Sequence, residues 1–213
     1  MMLEVNNMTK HIDGKRIFKD INIQMNHHHL LISGESGSGK STLAKILAGL
    51  DTNYSGQLYL NHKLREEYTT KEWMKVIQYV PQYQKDTLNG RKTVRYILTE
   101  PLKNYHVNKE TYDKRIEAVL EQCALAPNVL NQRIDTLSGG QFQRVWIAKA
   151  LIIEPQILIL DEATTNLDVI NEEAILQMLK LLEHTQLIII SHDSYVLNSF
   201  EGMTIELDYC VGN

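Results

Sequence analysis

Gly34-Glu35-Ser36-Gly37-Ser38-Gly39-Lys40-Ser41 decides the fold class. The stretch matches G-x-x-x-x-G-K-[ST] at every fixed position. It is preceded by the apolar run Leu30-Leu31-Ile32 and followed by Leu43, Ile46, Leu47 and Leu50 at helical spacing. Strand, glycine-rich loop and helix in that order are the setting in which the motif cradles a phosphate. Gly34, Gly37 and Gly39 let the backbone wrap tightly enough for successive N–H groups to converge, and the helix adds its positive N-terminal end. Ser36, Ser38 and Thr42 complete the candidate phosphate contacts. Lys40 supplies a point charge to the β- and γ-phosphates and Ser41 a hydroxyl to Mg²⁺. A glycine turn that merely precedes a helix needs no lysine and serine at those offsets.

Outward from the loop, Ile157-Leu158-Ile159-Leu160 and Leu187-Ile188-Ile189-Ile190 are continuous apolar runs of the kind buried on both faces of a parallel sheet. Ile175, Leu176, Leu179 and Leu182 place a helical stripe between them, so strand, helix and strand recur and an α/β core is expected. Alternation through Ile17-Phe18-Lys19-Asp20-Ile21-Asn22-Ile23 predicts antiparallel strands ahead of that core. The residues from about Gln84 to Glu154 read as a helical insertion, with Ile116, Val119, Leu120 and Cys123 at i, i+3, i+4 and i+7. The first apolar run after the insertion ends in Asp161-Glu162, at the strand end where α/β sheets bind ligands. Asp161 suits Mg²⁺ and Glu162 suits polarising an attacking water. Acids at a helix N-terminus are ordinary by themselves; the phosphate loop in the same chain favours the functional reading.

The 213 residues, 43% hydrophobic, suffice for one substantial core. A net charge of -4 and no long apolar stretch point away from nucleic acid and from the bilayer interior as direct partners. Cys123 and Cys210 stand alone and suggest neither a disulfide framework nor a zinc cluster. The first residues, Met1 to Asn6, do not read as a signal peptide, and a cytoplasmic protein is expected.

Leu137-Ser138-Gly139-Gly140-Gln141 opens a further helical run. Ser138 and Gln141 form an S-x-x-Q capping box, which needs no paired glycines, whereas a helix N-terminus meant to accept a phosphate does. With the second carboxylate motif roughly twenty residues on, LSGGQFQRVWIAKALIIEPQILILDEATTNLD from Leu137 to Asp168 resembles the ABC ATPase family, and the likeness runs from Leu3 to about Asp193. The resemblance implies a P-loop NTPase of the ABC fold: a mostly parallel core sheet, an N-terminal antiparallel β subdomain and an inserted helical subdomain. On this reading 1–213 is a single ABC ATPase domain, with 1–83 and 154–213 as nucleotide-binding core and 84–153 as helical subdomain. It implies that Gln82 contacts Mg²⁺, that His192 hydrogen-bonds the γ-phosphate, and that Asp168 crosses to a partner subunit. It also implies that Ser138, Gly140 and Gln141 complete the partner's ATP site in a head-to-tail dimer of identical or paralogous ATPases.

The family's adenine-stacking aromatic would fall at His11 or Ile12; the imidazole of His11 could recover part of that stacking, whereas Ile12 could offer only apolar contact. The run His27-His28-His29 reads as a solvated turn, since neighbours in a strand alternate faces and seldom chelate one ion together. Leu88-Asn89, Thr93-Val94 and Glu100-Pro101-Leu102 are similar to the ATPases of peptide and nickel importers, although Tyr83 and Gly90 depart from their pattern. The resemblance therefore implies an ATPase peripheral at the inner face of the cell membrane, docked on integral membrane permease subunits. A soluble ATP-dependent assembly factor or scaffold is the alternative class.

Overall fold

The computed structural model describes residues 2–82, 87–165 and 167–207. Tyr83, Gln84, Asn166 and Cys210 lie outside them. The chain forms two compact units. The first comprises Met1–Tyr79, Gln156–Glu162 and Gln186–Asn213, and the second Val80–Pro155 and Ala163–Thr185.

In the first unit β1 (Met2–Ile12) and β2 (Lys15–Asn26) pair antiparallel, as the alternation predicts. They join through Asp13-Gly14, whose φ values of 50° and 76° suit the tight hairpin turn that matches strand twist. After β3 (His29–Ser33) and α1 (Lys40–Leu47), β4 (Ser55–Leu60) and β5 (Lys63–Leu64) complete a four-stranded sheet of order β2-β1-β4-β5. A short helix α2 (Thr70–Val76) leads into β6 (Ile77–Val80). The second sheet has order β6-β7-β8-β3-β9, with β7 (Ile157–Asp161), β8 (Gln186–Ile190) and β9 (Gly202–Glu206). Strands β7, β8, β3 and β9 are mutually parallel. One apolar core unites the two sheets and α1, from Leu3, Val5, Phe18 and Leu58 to Ile32, Leu43, Ile159, Ile188 and Ile190.

The helical stripe behind the glycine loop stops sooner than its spacing suggests. The chain leaves α1 through Gly49, Leu50 N–H closes on the Lys45 carbonyl at 2.8 Å, and Leu50 is left 50% exposed. The second unit contains α3 (Val94–Asn104), α4 (Tyr112–Gln122), α5 (Gly139–Leu151) and α6 (Val169–Lys180), and α3 packs against both α4 and α5. Ile116, Val119, Leu120 and Cys123 are buried, as their spacing requires. Leu182 is buried too, although it lies two residues past the end of α6. Among the described residues no helix is long and apolar enough to cross a membrane.

The histidine run divides in two. His27 and His28 are exposed in the turn, whereas His29 is half-buried at the start of β3. Its Nδ1 accepts the Leu187 N–H at 3.0 Å, and its ring meets Phe200 edge to face at 6.1 Å. Burial, with a smaller contribution from neighbouring His28, holds the imidazole below its ordinary value of 6.5. The unfolded chain therefore takes up this proton first as pH falls through about 6.5, and stability declines from there to the lower folded value. The fall in melting temperature between pH 7.5 and pH 5.5 is expected to be smaller in His29→Gln than in the parent, measured by thermal denaturation.

Candidate functional site

In the first unit the parallel register aligns three strand ends. Asp161 stands opposite Ile190 and Ile190 opposite Ile32, so Gly34, Glu162 and His192 all leave the same edge of the sheet. At that edge Gly39 caps α1 with φ 95°, a left-handed conformation that glycine adopts without steric cost. No side chain caps α1 and no acid lies in its first turn, so its N–H groups and positive end stay available to an anion. Lys40 Nζ folds over the loop, donating to the Gly34 and Glu35 carbonyls at 2.7 and 2.8 Å. Ser38 Oγ, in the middle of the loop, is buried without a partner among the described residues. Ser36 and Gly37 are exposed on the outer turn, and Thr42 follows Ser41 within α1. A loop with spare N–H groups, an orphaned buried hydroxyl and a lysine can bind a polyphosphate.

The second element is the carboxylate pair. Asp161 is 2% exposed at the end of β7, with Oδ1 accepting from Ser41 Oγ at 2.9 Å and Oδ2 from Tyr79 OH at 2.7 Å. Burial pushes its carboxyl up; the hydrogen bonds from Tyr79 and Ser41 pull it back, and nearby Glu162 adds to the rise. Glu162 turns out of the strand with φ 48°, an uncommon conformation for a residue with a Cβ, costing on the order of 1 kcal/mol. Its N–H is tied to the Ile190 carbonyl at 2.9 Å, and its Oε1 lies 3.2 Å from His192 Nδ1. The imidazole is 57% exposed and Glu162 18%, so the pair faces the open side of the strand ends.

The donor set fits Mg²⁺. Ser41 and Asp161 are hard oxygen donors in hydrogen-bond contact, few enough that phosphate and water oxygens would supply the remaining ligands, as Mg²⁺ prefers. Among the described residues no cluster of three or more His, Cys, Asp or Glu offers a preformed cage.

The second unit holds the other candidates. Ser138 Oγ accepts the Gln141 N–H at 3.3 Å while Gln141 Oε1 accepts the Ser138 N–H at 3.1 Å, so the capping box forms. Ser138 is exposed and Gly140 is buried directly against Asn171: a methyl group on Gly140 would lie 2.1 Å from Asn171 Oδ1. Asp168 caps α6, accepting the Asn171 backbone N–H at 3.0 Å and its side-chain amide at 2.6 Å. These bonds hold the Asp168 carboxyl below its ordinary value. Thus the signature glycine and the capping acid share one asparagine. Gln82 follows β6 and belongs to this unit.

Tyr79 was invisible to sequence reasoning, because a tyrosine on an edge strand is ordinary and its partner lies 82 positions away. His11 and Ile12 end β1 opposite Arg16 and Lys15. Ile17 and Phe18 of β2 both lie against Gly39 of the loop, and the β1–β2 pairing is irregular between Lys10 and His11.

The family model for the ABC transporter matches residues 18–165. The chain belongs to that family. This ABC chain is 37% identical over 189 residues to the oligopeptide transport ATP-binding protein OppF of Haemophilus influenzae, a span of 84% of the chain and 57% of OppF. It is 38% identical over 187 residues to the nickel import ATP-binding protein NikE of Escherichia coli K12, covering 82% of the chain and 68% of NikE. The chain therefore spans little more than half of OppF. Among solved structures, the dimeric bacterial ABC transporter cassette MJ0796 matches with a TM-score of 0.85 at 29% identity, covering 97% of this chain and 94% of that one. Its post-hydrolysis dimer bound to ADP and Pi matches with a TM-score of 0.84 at 28% identity, covering 100% and 98%. The ABC cassette fold expected from the sequence is the fold found.

The two signature glycines differ in what surrounds them. A methyl group on Gly139 would meet Leu167 Cδ2 at 3.6 Å, an ordinary contact, whereas on Gly140 it would displace Asn171 from Asp168. Gly140→Ala is expected to destabilise the chain by about 1–2 kcal/mol through loss of the α6 cap, and Gly139→Ala to leave stability nearly unchanged. Denaturant unfolding of the two variants checks this.

Proposed function

We propose that the chain is the ATP-hydrolysing subunit of an ABC importer, docked at the inner face of the cell membrane on separate permease subunits. Its cargo would be of the peptide, nickel or metal-chelate class, since OppF and NikE are named for such transport. One observation carries the reading: a lysine-bearing phosphate loop, the Ser41–Asp161 pair and the Glu162–His192 pair leave the same sheet edge within one unit.

Each group has a separable task. The N–H groups of the loop and of α1 bind the phosphates, and Lys40 offsets charge on the β- and γ-oxygens. Ser41 and Asp161 would hold Mg²⁺; the ion when bound supplies charge neutralisation across the phosphates. Glu162 orients an attacking water and draws its proton. His192, 3.2 Å away, holds the Glu162 carboxylate and presents its ring to the γ-phosphate. Ser138, Gly140, Gln141 and Asp168 serve the ATP of a second cassette in a head-to-tail dimer, a state supported by the dimeric MJ0796 neighbour. ATP then binds two chains only when they close, and its hydrolysis releases them. His11 or Ile12, at the end of β1, would meet the adenine, the former with an imidazole and the latter with aliphatic contact alone.

The membrane partner is assigned to the second unit. A groove of about 600 Å³ runs between α3, α4 and the 3₁₀ turn Pro127–Asn131, with Ile116, Leu120, Leu125 and Leu130 as its floor. Arg95, Asp113, Glu117 and Glu121 form a charged rim, and Arg95 bridges to Asp113 at 2.8 Å. An apolar floor with a mainly acidic rim suits an amphipathic permease helix with basic flanks. Leu88 is only 4% exposed and packs in the interior.

Three experiments test these assignments. Lys40→Ala is expected to weaken ATP binding by roughly two decades, about 3 kcal/mol. Glu162→Gln is expected to bind ATP normally, stop hydrolysis and accumulate an ATP-dependent dimer in light scattering; a monomer at saturating ATP would refute the dimer. In the assembled transporter, Glu117→Arg with Glu121→Arg is expected to abolish transport and co-purification with the permease while the isolated chain keeps its basal ATPase rate.

A further inference from the structure

We infer that Tyr79 is the positioning residue of the metal-holding carboxylate, so that its hydroxyl sets how tightly the site holds a divalent cation. The inference rests on the nucleotide-site reading above and adds to it a residue outside the phosphate loop and the carboxylate motif. Tyr79 lies on β6, in the same unit as Asp161, and its phenol donates to Asp161 Oδ2 at 2.7 Å. The other oxygen, Oδ1, accepts from Ser41 Oγ at 2.9 Å. Both oxygens are thus held by neutral hydroxyl donors, one from β6 and one from α1. A hydroxyl bonded to an ionised carboxylate makes a short, strong bond with a marked preference for one geometry.

The two donors are not equivalent. Ser41 is exposed at the start of α1 and is itself a ligand candidate, so a cation that takes its oxygen draws that hydroxyl away from Asp161. Tyr79 is half-buried and approaches from the strand side, which leaves it the donor that keeps Oδ2 in place while Oδ1 faces the site. Asp161 is 2% exposed, so water has little access to replace the phenol. Phenylalanine would fill the same space on β6; the hydroxyl is the part whose partner is a functional carboxylate. Outer partners of this kind usually alter metal affinity by about 10–100-fold when removed.

The test is Tyr79→Phe, with Mn²⁺ as the probe, titrated by electron paramagnetic resonance into the full chain saturated with a non-hydrolysable ATP analogue. The Mn²⁺ dissociation constant is expected to rise about tenfold, with nucleotide affinity in EDTA unchanged within about twofold. Melting curves in EDTA report any general loss of packing. A lower melting temperature with Mn²⁺ affinity within about twofold of the parent would mean that the hydroxyl only satisfies a buried contact, and would overturn the proposal. Failure of the parent chain itself to bind the nucleotide analogue in EDTA would instead sink the functional reading. If Tyr79→Phe does not fold, Tyr79→Met removes the same donor and is judged by the same titration.

Discussion

Parallel pairing of β3, β7 and β8 is the constraint on which the site depends. A parallel ladder lets neighbouring strands end on the same side, and the register Ile32, Ile190, Asp161 makes them end together. Ser33-Gly34, Ser191-His192 and Asp161-Glu162 are three separated parts of the chain, yet each turns out of the sheet at that edge. The loop supplies positive charge and free N–H groups, the carboxylates answer from the next strands but one, and the distances follow from strand spacing. A one-residue slip of β7 would exchange the faces presented by its side chains and move Asp161 away from Ser41.

Residues proposed for the second cassette's site also have structural duties. Ser138 and Gln141 satisfy each other's backbone N–H groups in the capping box, which keeps the N-terminus of α5 rigid. Asp168 does the like for α6 through Asn171. Asn171 lies tight against Gly140 and bonds Asp168, so one side chain touches both the start of α5 and the cap of α6. Glu162 stores a small backbone strain at φ 48°, offset by its N–H bond to Ile190 and by the packing of β7 and β8 on both sides.

Where sequence patterning and structure part, the reason is local. Leu50 continues a helical spacing that the backbone does not follow, because Gly49 closes α1 and turns the chain outward. Leu182 outlasts its helix and is buried nonetheless, since burial follows position in space rather than secondary structure. His29 reads as one of three polar residues in a turn, but it is the first residue of β3 and serves as an acceptor for the Leu187 N–H. Nothing in a row of identical side chains distinguishes the one that enters the sheet.

The sequence by itself determined the fold class, the phosphate loop, the carboxylate pair and the family, because these are short-range patterns. Strand-loop-helix order, continuous apolar runs and the LSGGQ segment are each complete within a few dozen residues. Only the tertiary structure decided which separated residues meet. The bond from Tyr79 to Asp161 spans 82 positions, that from Ser41 to Asp161 spans 120, and the His29 contact with Leu187 spans 158. Such contacts are products of strand order and register, which depend on how the whole apolar core packs. A tyrosine becomes the partner of Asp161 because β6 lies beside β7 in the sheet.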